Sequence, residues 1–367
     1  MSVSRLVPSG GLDMKPPGCC LARIGGRTKG KRVQETFEAM FVIAQFVPFV
    51  IVMAIANLEH RQRAFRTVAL LILLSFNLLF IGVGLGSMAM PRLLAQRPDD
   101  ISWPFDTQWA NLAFTALLTG LVASLMLLPS VRRIIARVPG MRLDADSAVH
   151  TTALSFAIYL VGLTLGQLYL VGSLQGLAEA AEFGLNLTPT LIWAQGIGIA
   201  LVALAGIGLA VRRDLRAAVK RLGLGWPREE HVSLIVGFWL LFLALDFGWA
   251  HAWQALDPGS YETVGRVSRG LMEGLTTFSG ALAVGFSAGI SEELVFRGAL
   301  QPRFGLVLSS ALFAVSHLQY SFSPALGEVF LLGLGLGYLR RRANLTAAIL
   351  VHAGYNFTLV MLSSIWP

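Results

Sequence analysis

Along the chain, long apolar runs alternate with short polar breaks. Ten runs lie near 39–57, 67–90, 109–128, 149–174, 188–211, 232–250, 274–298, 304–319, 325–339 and 344–363. A spanning helix needs about 20 apolar residues, so the eighth and ninth runs are short and are expected to be tilted, broken or differently bounded. Inside lipid every backbone N–H and C=O must be satisfied within the structure, which leaves helices or closed β-barrels. The alternating ten-residue segments of a barrel are missing from the sequence. The expected fold is therefore all-α, a polytopic transmembrane bundle of about eight to ten helices.

Composition agrees: 55% of the 367 residues are hydrophobic and 14% charged, against roughly 25% charged in a soluble domain. The net charge of +8 would suit nucleic acid, but the basic residues cluster between spans, as in the positive-inside pattern of membrane proteins. Nucleic acid is excluded as a partner; the bilayer is implied. Arg132, Arg133, Arg137 and Arg142 mark one cytoplasmic loop, Arg212, Arg213, Arg216, Lys220 and Arg221 a second, and Arg340–Arg342 a third. The breaks around Asp99–Asp100, Glu179 and Asp257 carry fewer basic residues and fit the outside. Counting back puts Arg61, Arg63 and Arg66 inside and the start of the first span outside, so the basic N-terminal residues fall on the wrong side. Three explanations compete: the first span does not cross, a later span is miscounted, or the true start lies downstream. Met40 opens the apolar run, and a start near it would make residues 1–39 an extension. The absence of organelle targeting and the basic loops fit a bacterial inner membrane.

Three regions are expected: a Gly-, Pro- and basic-rich disordered tail over 1–36, N-terminal helices of unassigned role over 37–230, and a C-terminal unit over 231–367 with its motif core at 275–360. Cys19 and Cys20 are the only cysteines and imply neither a disulfide framework nor a cysteine metal site. Gly82/Gly86 and Gly333/Gly337 have the spacing that lets helices approach closely. Residues 211–222 read as a basic amphipathic segment at the cytoplasmic surface. No internal repeat of the transporter kind is evident.

Against this apolar background stands Gly289-Ile-Ser-Glu292-Glu293-Leu-Val-Phe-Arg297-Gly298. Ionisable groups within a span cost a few kcal/mol each and are functional candidates by default. At helical pitch Glu293 and Arg297 share a face while Glu292 points about 100° away. One carboxylate can pair with the arginine and leave its neighbour free. A structural ion pair is the plain alternative. Of six histidines, His317 and His352 lie inside apolar segments, in Phe313-x-x-x-His317 and His352-x-x-x-Asn356. A rise of about 1.5 Å per residue brings Glu292, Glu293, His317, His352 and Asn356 to a similar depth. Such a set supports water activation: a desolvated carboxylate as base, a histidine holding the water, hydrogen-bond donors for an oxyanion. It would equally suit a zinc ion that acidifies its water.

These three motifs, in this order, resemble those of the CPBP family, the CAAX proteases and bacteriocin-processing enzymes also called Abi proteins. The resemblance covers roughly 275–360 and none of the first 220 residues. It implies an intramembrane endopeptidase acting on a peptide or membrane-protein substrate. Glu292 would be the base acting on water, Glu293 its support and the partner of Arg297, and His317 a holder of the water. His352 and Asn356 would stabilise the oxyanion. The family is labelled metalloprotease and has also been read as a metal-free glutamate type, so the cofactor is a divalent metal such as zinc or none.

Rival signatures fail. No His-Glu-x-x-His occurs, nor the Gly-x-Gly-Asp of aspartyl intramembrane proteases. Gly285-Phe-Ser287-Ala-Gly289 matches Gly-x-Ser-x-Gly, but within an apolar helix it reads as packing. Asp246 is a second intramembrane acid, expected to make a polar contact inside the bundle. Two other functions compete with the protease: an immunity or binding protein on the same scaffold, and a proton-coupled transporter. Oligomeric state leaves no trace in the sequence.

Overall fold

The computed structural model describes residues 33–96, 107–172, 176, 187–317 and 320–365. Each of the ten apolar runs is largely helical over its described residues, which contain no β-strand. In chain order the helices are α1 (Val33–Leu58), α2 (Ala64–Leu94), α3 (Trp109–Leu125), α4 (Pro129–Ile135), α5 (Ala148–Val171) and α6 (Pro189–Gly206). There follow α7 (Leu215–Leu222), α8 (Val232–Leu256), α9 (Pro258–Met272), α10 (Phe278–Val315), α11 (Ala325–Arg342) and α12 (Leu345–Ile365). Seven are long and apolar enough to cross a membrane, and α3 with α4, bent by 93°, would make an eighth.

The short eighth run has a local cause. Gly305 sits at φ 78°, ψ 174° inside α10, a left-handed conformation that glycine adopts without steric cost. There the chain doubles back, so α10 is two limbs and not one span. The backbone of Gly140 lies against the turn, and a Cβ on Gly305 would come within 2.9 Å of its carbonyl oxygen. The ninth run, α11, ends in three arginines.

Helix starts follow capping chemistry. Ser147, Thr188, Asp214, Asp257, Thr277 and Asn344 each accept a hydrogen bond from the amide three residues on, satisfying a donor that the first turn leaves open. Pro189 and Pro258 then occupy the first helical position, where no N–H is needed.

The basic breaks meet at one end of the bundle. Arg66 pairs with Asp146 at 3.8 Å, the Ala148 amide donates to Glu59, and the Arg142 amide to the Arg303 carbonyl. Arg221 donates to the Gly298 carbonyl and the Leu345 amide to that of Gly223. At the far end Thr107 donates to the Leu170 carbonyl. This is the loop arrangement that the positive-inside reading expects. α1 reaches the basic end at Leu58, so Val33 lies towards the other. The tail expected over 1–36 falls outside the described residues up to residue 32, while 33–36 already belong to α1.

Two apolar cores organise the helices that hold the site. Phe242 of α8, Leu332, Leu336 and Leu339 of α11, and Ala347, Ala348, Val351 and Tyr355 of α12 form one. Leu154 of α5 joins Phe296, Phe304, Leu312 and Phe313 of both α10 limbs in the other. Packing therefore crosses the boundary expected at 230, since α5 and α6 wall the C-terminal helices. Of the glycine pairs, Gly333 and Gly337 do mark a close approach, to Phe313 and Ser310 and to Gln301 and Leu306. Gly82 and Gly86 do not: a Cβ on either would meet nothing within 4 Å, and it is Gly84, on the opposite face of the helix, that touches Leu117.

Candidate active site

The first limb of α10 carries the glutamate pair and is not a plain α-helix. Ala283–Ala288 and Glu293–Leu300 are π-helical, flanking one α-turn at Gly289–Glu292. π-Turns are rare and recur at functional sites. Small residues set its depth in the bundle. A Cβ on Gly285 or Gly289 would lie within 3 Å of Ala353 on α12, and Gly196 of α6 admits the Ser287 side chain. Ser287 is buried and donates to the Ile192 carbonyl at 2.8 Å. The Gly-x-Ser-x-Gly match is thus a packing surface.

Behind this face lies a buried charge group. Glu293 is 0% and Arg297 1% exposed. Arg297 Nη1 donates to Glu293 Oε1 at 2.8 Å, its Nη2 to the Gly333 carbonyl at 3.3 Å, and its guanidinium lies 4.1 Å from the centre of the Phe313 ring. His352 Nδ1 donates to the same Glu293 oxygen at 2.9 Å. A buried charge has to be paired and hydrogen-bonded, and here the partners come from α10, α11 and α12. Phe313 also meets the His352 ring edge-on at 5.7 Å, so it covers both partners of Glu293.

Glu292 faces the other way, onto a cavity of about 1950 Å³ also lined by His317, His352 and Asn356. The Gly305 turn makes this possible, because Glu292 lies 13 residues before it and His317 12 after, so the two limbs bring them level. His317 Nε2 and His352 Nε2 each stand 3.9 Å from Glu292 Oε2, a buried oxygen with no hydrogen-bond partner in the protein. Both rings are held from their far nitrogens, His317 Nδ1 by the Phe313 carbonyl at 2.9 Å and His352 Nδ1 by Glu293. Those acceptors require a hydrogen on each Nδ1, so in the neutral rings each Nε2 turns a lone pair towards the carboxylate. Three acceptors so arranged suit a species that donates between them.

The donor types are those zinc takes, and histidines anchored through Nδ1 are usual around it. The spacing is not: 3.9 Å exceeds the roughly 3.3 Å between ligand atoms bound at about 2.0 Å to a tetrahedral ion. Among the described residues no group of three or more His, Cys, Asp or Glu side chains converges as metal ligands. In this arrangement the residues do not close on a metal, whereas a water that donates to Glu292 and to one of the two histidines fits.

All six residues singled out in the sequence come to one place, four of them on the cavity and Glu293 and Arg297 behind its wall. Asp246 makes the expected contact inside the bundle, accepting from Tyr355 Oη at 3.0 Å on the same cavity. Glu328 joins the same wall, and neither it nor Tyr355 was foreseen. The i,i+3 spacing of His352 and Tyr355 was the available signal. Gln301, which donates to the Gly337 carbonyl at 2.8 Å, carried none.

Residues 274–358, which hold all three motifs, match a family model described as type II CAAX prenyl endopeptidase Rce1-like. No curated protein and no solved structure matches the chain.

Proposed function

From an Rce1-like segment spanning residues 274–358, we propose that this protein is an intramembrane endopeptidase in which Glu292 activates water for attack on a peptide bond. The observation that carries the reading is the meeting of Glu292 Oε2 with two histidine Nε2 atoms, each at 3.9 Å and each anchored from behind. A water held there loses a proton to Glu292 as its oxygen attacks the scissile carbonyl carbon. Asn356 and, once it carries a proton on Nε2, His352 stabilise the oxyanion. Glu292 then returns the proton to the departing amine. Arg297 acts through Glu293, whose orientation it fixes.

The substrate class is a peptide or a terminus of another membrane protein, reached through the cavity, and the location is a bacterial inner membrane. The test is cleavage of a fluorogenic peptide library by the purified full chain in detergent. Wild type is expected to cleave and Glu292→Gln to lose at least about 100-fold, the usual scale of a general base. Activity should survive a zinc chelator. Equal cleavage by wild type and Glu292→Gln would overturn the reading, and loss on chelation alone would replace the water held by side chains with a metal-bound one.

A further inference from the structure

The cavity has a second polar region, at the basic end of the bundle. Arg212 and Arg213 from the turn after α6, Arg221 from α7 and Arg303 beside the Gly305 turn all line it. Arg221 Nη1 donates to the Gly298 carbonyl at 3.2 Å, and Arg213 Nη1 to the Ile207 carbonyl. Among the described residues none of the four forms an ion pair with a carboxylate. Asp144 lines the same end, but its Oδ1 accepts from the Asp146 amide, and Asp214 caps α7. Burial first, then Arg303, Arg213 and Arg340, pushes Arg221 down to about 10. Burial and the neighbouring Arg212 and Arg303 lower Arg213 as well. At neutral pH both remain charged. Cations brought together and partly desolvated need an anion, and planar guanidinium forks match phosphate.

The surroundings indicate the source of that anion. On α7, Ala218 and Leu222 are buried against the bundle, while Leu215 (70% exposed) and Val219 stand out among Arg216 and Lys220. Trp226, just beyond, is 93% exposed. Outward apolar side chains among basic ones, with a tryptophan, are the signature of a helix lying in the headgroup layer. Lipid phosphate is therefore at hand at this depth. We propose that Arg213, Arg221 and Arg303 bind the phosphate of an anionic lipid headgroup at the basic mouth of the cavity. Gly298, which anchors Arg221, is six residues past Glu292, about 9 Å along the helix. A lipid seated there would close that end of the cavity. The site stands whether or not Glu292 is catalytic.

The test is lipid retention by the full chain, purified from mixed phosphatidylglycerol–phosphatidylcholine micelles and measured by native mass spectrometry. Wild type should retain phosphatidylglycerol in preference, and Arg221→Gln or Arg303→Gln should weaken it about tenfold, the scale of one charged hydrogen-bonded contact. Arg216→Gln, on the outward face of α7, should retain it fully, and Arg303→Lys should keep most of the preference. Equal retention by all variants, or equal losses in Arg303→Gln and Arg216→Gln, would overturn the site. Displacement of the lipid by millimolar inorganic phosphate, or by a peptide with a free C-terminal carboxylate, would assign the arginines to a soluble anion instead.

Discussion

Glu292 and Glu293 are neighbours in sequence with opposite surroundings. Glu293 is sealed in with Arg297 and His352, while Glu292 faces the cavity. The two halves of the charge group should therefore separate by experiment. Arg297→Ala leaves a buried carboxylate without its main partner, and unfolding in a mixed-micelle assay should show a loss of about 3–5 kcal/mol. Glu292→Gln, on the cavity, should melt as wild type does. An Arg297→Ala protein as stable as wild type would mean that Glu293 is neutral or paired elsewhere. The divergence of the two glutamates was legible in the spacing, since i,i+4 alone pairs Glu293 with Arg297. The shared oxygen that also binds His352 was not, because it depends on how α12 lies against α10.

At the scale of elements, the reversal at Gly305 does most to make the site, carrying His317 back to the level of Glu292. Gly305→Ala would place a side chain in a positive-φ extended conformation reserved almost wholly for glycine, costing about 1–3 kcal/mol, and press Cβ against the Gly140 carbonyl. The expected result is lower thermal stability and a weaker site. Unchanged melting would show that the turn tolerates another conformation. Two runs separated near residue 300 were readable from hydropathy. The π-turns around Glu292 were not, since hydrogen bonding to the fifth residue instead of the fourth leaves no mark on an apolar pattern. The same limit explains the glycines. Spacing alone marked both Gly82/Gly86 and Gly333/Gly337, yet only the second pair meets a neighbouring helix.

For the whole molecule, the gathering of basic breaks at one end fixes a polarity. In a background with Cys19 and Cys20 replaced by serine, a cysteine at Gly225 and another at Gly259 should label from opposite sides of a sealed vesicle. Both positions have room for a side chain. Labelling of both from one side would remove the polarity. The large cavity spans this axis, with arginines at its basic end and Asp246, Glu328 and Tyr355 on another part of its wall.

By itself, the sequence determined the all-helical membrane class, the placing of the apolar runs, and six residues that come together. Each rests on local or compositional physics: backbone satisfaction in lipid, the cost of a buried charge, and the helical repeat. Tertiary structure alone decided that His352 shares the Glu293 oxygen, that α5 and α6 wall the C-terminal helices, and where four arginines converge. Those outcomes turn on contacts between segments far apart in the chain, which no periodicity within one segment records.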